Sequence, residues 1–169
     1  MNFLLRVLLL GYFAAFILLT AVLAYVHERY RQPPEQPIAF AHSIHAGRLG
    51  LECTFCHELA AVSPSAGIPA VEKCLSCHRT IATDRPEIKT LLGYAERREP
   101  IAWNRVHHLP DHVYFSHKRH IKAGVDCAAC HGGVREMVLM RQVRPLTMGW
   151  CVHCHQANGA SIDCATCHK

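Results

Sequence analysis

Five CxxCH pentapeptides, one long charge-free run near the N-terminus and no alternating strand pattern predict the fold class of this chain. The class is a multihaem c-type cytochrome, class III-like. It has little regular secondary structure, short helices and a haem-packed core, here behind one N-terminal transmembrane helix. With 169 residues, the chain has room for about one domain and an anchor.

The cysteines carry the first argument. All 10 fall in CxxCH motifs: Cys53/Cys56, Cys74/Cys77, Cys127/Cys130, Cys151/Cys154 and Cys164/Cys167. A disulfide framework would not require a histidine after every pair. Zinc sites join two half-sites into sets of four ligands, and five pairs divide poorly. Covalent haem c uses both cysteines and the histidine of each motif: two thiols add to the porphyrin vinyl groups, and the following histidine is held beneath the iron. The expectation is five covalently attached haem c, with His57, His78, His131, His155 and His168 as proximal ligands.

The formal net charge is +5 with neutral histidines. Basic residues are scattered, and haem propionates would cancel much of that charge, so nucleic acid is not an expected partner.

Residues 1–30 read as the anchor. Val7 to Val26 carries no charge, and as a helix it would span roughly 30 Å, enough for a bilayer core. A cleaved signal peptide has a shorter apolar segment, so an uncleaved single-pass anchor is favoured. Arg6 stands against Arg29 and Arg31, so flanking charge leaves orientation open. Attachment of c-type haem on the outer side of the bacterial inner membrane puts the haem domain in the periplasm.

Residues 31–37, RQPPEQP, read as an extended proline-rich linker. Residues 38–169 form the haem domain. The chain per haem is too short for a normal core, so the porphyrins must supply much of it. An internal repeat divides this domain: FAHSIHAGRLGLECTFCH (Phe40–His57) matches FSHKRHIKAGVDCAACH (Phe115–His131), with one residue fewer in the second copy. The expected modules are 38–110 with haems one and two, and 111–169 with haems three to five. The best helix is Asp84–Glu99, with capping-box spacing at Asp84/Glu87, Pro86 in its first turn and an apolar face of Ile88, Leu91, Leu92 and Ala95. Short helices are expected around Val71–His78 and Gly149–His155.

Low-spin haem needs a sixth ligand, ordinarily His or Met. His42/His45 precede the first motif, and His117/His120 occupy the same places in the repeat. Within each pair the first histidine would serve the nearest iron and the second a distant one. A fifth ligand comes from WNRVHHLPDH, which offers His107, His108 and His112; His107 is the choice. Met148 is the alternative for one haem, and Met137 a weaker one. His27 reads as an interfacial residue, and His153, between two thioether cysteines, as a surface histidine.

IAFAHSIHAG, CTFCH, SAGIPAVEKCLSCH, EPIAWNRVHHLPDHVYFSHKRH, CAACHGGV and RPLTMGWCVHCH together resemble one family, the membrane-anchored pentahaem cytochrome c subunit of alternative complex III. The resemblance runs from about Pro37 to His168. It implies an electron-transfer subunit, not itself an enzyme. Its implied partners are membrane quinol-oxidising and iron–sulfur subunits, and its implied acceptor a cytochrome c or oxidase. It also supports His42, His45, His107, His117 and His120 as distal ligands. The family more often has an acid or amide at His108, an aromatic at His112 and an amide at His153. A second reading is a stand-alone quinol dehydrogenase anchored by one helix. A third, reduction of a small nitrogen or sulfur compound at an open haem, is disfavoured by the supply of histidines.

Overall fold

A computed structural model describes residues 2–169, so Met1, part of the expected anchor, lies outside the described residues. The chain forms two compact units, Met1–Gln32 and Pro33–Lys169.

The first unit is one helix, α1 (Phe3–Arg31). Its span Phe3–Arg29 has a mean hydropathy of 2.6 and none of its most apolar window is buried, so it is long and apolar enough to cross a membrane. Its hydroxyl at Thr20 does not stay unpaired. Oγ1 donates back to the carbonyls of Phe16 and Ile17 at 3.1 and 2.9 Å, which satisfies it inside the helix.

The second unit is built from short helices: α2 (Cys53–Cys56), α3 (Val71–His78), α4 (Pro86–Arg97), α5 (His117–Lys122), α6 (Cys127–His131), α7 (Met148–Ala157) and α8 (Cys164–Cys167). A π-helical turn, Ser43–Arg48, and a 3₁₀ turn, Val134–Glu136, complete it. No strand forms among the described residues. The proline-rich stretch is pinned to this unit at its centre. Gln36 and Asn104 exchange two hydrogen bonds of 2.9 Å, and Asn104 Nδ2 donates to the Glu35 carbonyl at 2.6 Å.

The helix expected from Asp84 starts later. Pro86 disfavours the α region for the residue before it, so Arg85 is extended (ψ 139°) and becomes the N-cap. Asp84 therefore makes no capping box. The helix ends where Arg98 turns left-handed at φ 55°, two residues before Pro100. Its Leu91 face packs on α3, and Ile38, Val71, Leu75 and Leu91 form the core cluster, flanked by Ile88, Leu92, Ala95 and Trp103.

That core is small. Only Ile38, Ala60, Val71, Leu75 and Leu91 are buried apolar residues among those described, and no large side chain is fully buried. Leu49, Phe55, Leu59, Val62, Ile68, Ile81, Tyr114, Val138, Leu139 and Ile162 are all exposed in the same unit. A domain of this length ordinarily buries far more apolar surface.

The repeat is structural as well as textual. Phe40 stacks on His45 (4.4 Å, 21°) and meets His42 edge-on (4.9 Å, 88°). Phe115 stacks on His120 (4.5 Å, 26°) and meets His117 edge-on (4.8 Å, 89°). The first copy carries its extra residue as the π-helical turn, where the second has the ordinary helix α5.

Each copy also grips the segment that follows the other. Ser43 N donates to the Met137 carbonyl at 2.9 Å, and Lys118 N to the Ser63 carbonyl at 3.1 Å. The π-helical and 3₁₀ turns pack together, where a Cβ at Gly47 would collide with the Arg135 carbonyl. Arg135 then donates to the Ala46 carbonyl (2.6 Å) and to Glu52 (3.2 Å).

Candidate haem-binding site

Each CxxC sits on a helical turn, which brings residues three apart to one face and sets the next histidine beside them. Three of the turns are very short. Two of these are capped by the acid in front: Asp126 accepts from Ala128 N at 2.7 Å and Asp163 from Ala165 N at 2.9 Å. Glu52 precedes the third and makes no such bond. The motifs on α3 and α7 sit on longer helices, and Thr147 caps α7 by accepting from Trp150 N at 3.4 Å. No disulfide joins any of the ten cysteines.

The thiols are not equally enclosed. Cys77, Cys127 and Cys164 are exposed on the polypeptide. Cys77 differs in this from the other cysteine of its motif. Cys74, its partner in the motif, is half-buried and lies close to Cys56, whereas the one thiol contact of Cys77 is the hydroxyl of its neighbour Ser76, at 3.9 Å. The reason is helical geometry. Leu75 turns the inner face of α3 to the core, and Cys77, two residues on, stands about 200° round the helix from it. Cys77 is thus the outer thiol of its motif.

A histidine that ligates metal ordinarily donates its other ring N–H to a carbonyl or carboxylate, which fixes the tautomer and orients the ring. Seven of the ten candidate histidines place Nδ1 against a backbone carbonyl, which leaves Nε2 free. His45 meets Ala41 (3.0 Å), His57 meets Gly67 (2.7 Å) and His78 meets Ile81 (3.0 Å). His117 meets Pro64 (2.9 Å), His120 meets Ser116 (2.8 Å), His155 meets Ser161 (2.6 Å) and His168 meets His112 (3.1 Å). His42 Nδ1 is buried and unpartnered among the described residues.

The expected distal histidines approach the proximal ones in pairs. Ring centroids lie 6.0 Å apart for His45 and His78, 6.3 Å for His117 and His131, and 6.0 Å for His120 and His155. His42 is pushed below the usual imidazole pKa by burial first, then by neighbouring His57 and His45. His131 is pushed down to about 4, by burial first and then by His107, His117 and His57. Neutral imidazole is the form that binds a metal.

Three residues of the LPDH region go to different places. His107 puts Nε2 3.2 Å from His131 Nδ1, with the rings edge-on at 4.5 Å. His108 Nε2 meets the Arg105 carbonyl at 3.0 Å and is exposed. His112 is the ring that faces His168, stacked at 5.4 Å and 26°. Met148 opens α7 and is exposed. His153 is exposed on α7.

The attachment turns adjoin in an order unlike that of the sequence. Lys73, just before Cys74, pairs with Glu58, just after His57, and lies over the Phe55 ring at 4.8 Å. The Cys74 thiol is raised by burial and then by Cys56. Cys127 is raised by burial and then by the neighbouring Cys53 thiol. Cys130 is raised by burial and then by Cys154 and Cys151. Burial and Cys167 likewise raise Cys151. Numbered by sequence, the turns therefore run second, first, third, fourth, fifth.

These residues fit haem c. The thiols are unpaired, the facing imidazoles keep Nε2 free, and the polypeptide lacks an apolar core of its own. No three His, Cys, Asp or Glu side chains converge as around a zinc ion among the described residues.

Residues 113–169 match the family described as cytochrome c7 and related cytochrome c. The fold class is that of a cytochrome c7-like multihaem domain. The cytochrome c7-like match covers the second copy of the repeat from Val113 and the last three motifs. A curated relative from Nitratidesulfovibrio vulgaris, the multiheme cytochrome c subunit of a menaquinone reductase, is 35% identical over 98 residues. The alignment covers 57% of this chain and 46% of that protein, so the chain spans about half the length of the curated relative it matches. The chain is thus related to a multihaem cytochrome subunit.

Proposed function

We propose that this chain is the pentahaem electron-transfer subunit of a quinone-active membrane complex, without a substrate site of its own. The carrying observation is that a histidine faces the proximal histidine at successive CxxCH turns, so protein imidazoles would hold the bound group from both sides. Cys53/Cys56, Cys74/Cys77, Cys127/Cys130, Cys151/Cys154 and Cys164/Cys167 hold the groups covalently. His57, His78, His131, His155 and His168 stand on one side, with His42 against His57, His45 against His78, His117 against His131 and His120 against His155. Bound haem supplies a one-electron ferric–ferrous couple. Histidine on both sides sets its potential below that of a His/Met pair.

The row of adjoining turns gives the chain two ends, the Cys74/Cys77 turn and the Cys164/Cys167 turn, joined through the repeat interface. Electrons would enter and leave at those ends. The charge-free run Val7–Val26 within α1 supports a single-pass anchor in the bacterial inner membrane, with residues 38–169 on the periplasmic side. The motif resemblance supports alternative complex III as the setting, with quinol-oxidising and iron–sulfur subunits as partners and a cytochrome c or oxidase downstream. The relative's name favours a second reading of direction, in which electrons run toward menaquinone.

Mild solubilisation and affinity purification test the setting. Co-purification of large membrane and iron–sulfur subunits is the expected result. A cytochrome that migrates alone and oxidises quinol unaided would establish a stand-alone dehydrogenase instead. Direction is read from the purified complex: rapid haem reduction by quinol supports oxidation, and quinone-dependent reoxidation of reduced haem supports the reverse.

A further inference from the structure

We propose that His112 is the sixth ligand at the Cys164/Cys167 turn, and that His107 is a positioning residue that accepts the Nδ1–H of His131. The proposal rests on the haem reading above.

His112 has the geometry of a partner to His168. Its ring lies 5.4 Å away and nearly parallel, close to the 6.0–6.3 Å of three other facing pairs. The backbone holds it there. Tyr114 N donates to the Cys167 carbonyl at 2.8 Å, and His168 Nδ1 donates to the carbonyl of His112 itself at 3.1 Å. The segment 112–114 is thus clamped to the last attachment turn from both sides.

His107 occupies a different position. His131 already faces His117 across 6.3 Å with rings 5° from parallel. To offer Nε2 to an iron, His131 must carry its proton on Nδ1. The atom that receives this proton's hydrogen bond is Nε2 of His107, at 3.2 Å. At the other four proximal histidines a backbone carbonyl fills that place. A lone pair engaged with His131 is not free for a metal, so one imidazole cannot serve both purposes. An imidazole is also a more basic acceptor than a carbonyl. It increases electron donation from His131 and lowers the potential at that site.

The test uses purified holoprotein and three variants, His112→Ala, His107→Leu and His107→Gln. Intact mass gives the haem count, electron paramagnetic resonance the low-spin count, and spectroelectrochemical titration the midpoints. The expected wild type has five covalent haems, all low-spin. His112→Ala converts one to high-spin. His107→Leu keeps five low-spin haems and moves one midpoint upward. Gln offers an oxygen acceptor, so His107→Gln returns that midpoint toward the wild-type value. Five low-spin haems in His112→Ala overturn the proposal, as does one high-spin haem in either His107 variant. If His107→Leu does not accumulate, the spin count of His107→Gln decides the same point. A wild-type haem count other than five refutes the haem reading itself, separately from these outcomes.

Discussion

A histidine that binds metal through Nε2 needs its Nδ1 occupied, and this chain supplies that occupant from unrelated parts of the backbone. His45 and His120 use the carbonyl four residues behind them, so their orientation is local and repeats with the FxHxxH motif. Substituting either by alanine removes one facing ring and leaves both cysteines of the partner turn intact. Each of His45→Ala and His120→Ala should keep five covalent haems and convert one low-spin signal to high-spin, read by electron paramagnetic resonance. Other anchors are invisible in the sequence. His117 is held by Pro64 and His168 by His112, carbonyls 53 and 56 residues away. A carbonyl has no side-chain signature, so only folding reveals it. The same limit explains the LPDH region. Three histidines within six positions look interchangeable in the sequence. The backbone clamp at Tyr114 and the neighbouring His131 separate their surroundings.

At the scale of elements, covalent chemistry makes most of the site readable. Two thiols on one porphyrin demand residues three apart, and a helical turn is the simplest way to face them together. That requirement shows in the sequence without any knowledge of the fold. The degree to which each thiol is enclosed does not show there: Cys74 and Cys77 look equivalent, and only the packing of α3 through Leu75 leaves Cys77 outside. The amphipathic helix is readable too, because Leu91 and its neighbours recur at helical spacing and face α3. Its N-cap lies one residue later than the capping-box spacing predicts, since the steric effect of Pro86 on Arg85 outweighs that spacing. The interface between the two copies is not readable. It depends on a close approach at Gly47, whose missing Cβ admits the Arg135 carbonyl. Gly47→Ala should therefore destabilise the holoprotein by about 1–3 kcal/mol, the usual cost of overpacking, seen as a lower denaturant midpoint. The loss should spread to the first and third attachment turns, which this interface joins. Thr147→Ala removes the cap of α7 and should cost about 1 kcal/mol by the same measurement.

At the scale of the whole molecule, the second unit has too little apolar core to explain a stable fold by polypeptide alone. Ile38, Val71, Leu75 and Leu91 pack together around α3 and α4, and no other large apolar side chain is buried among the described residues. Covalent porphyrin would supply the missing apolar volume, which couples maturation to folding. Replacing residues 1–32 by a cleavable secretory leader should release the domain from the membrane fraction with its haems attached. Fractionation followed by haem staining checks this, and retention in the membrane would show that the anchor is not α1 alone. The central claim is that every CxxCH turn carries one covalent haem. Intact-mass spectrometry of the mature protein tests it most directly. The expected result is a mass increase of five haems over the polypeptide; an increase of four or fewer, or paired cysteines without haem, would contradict it.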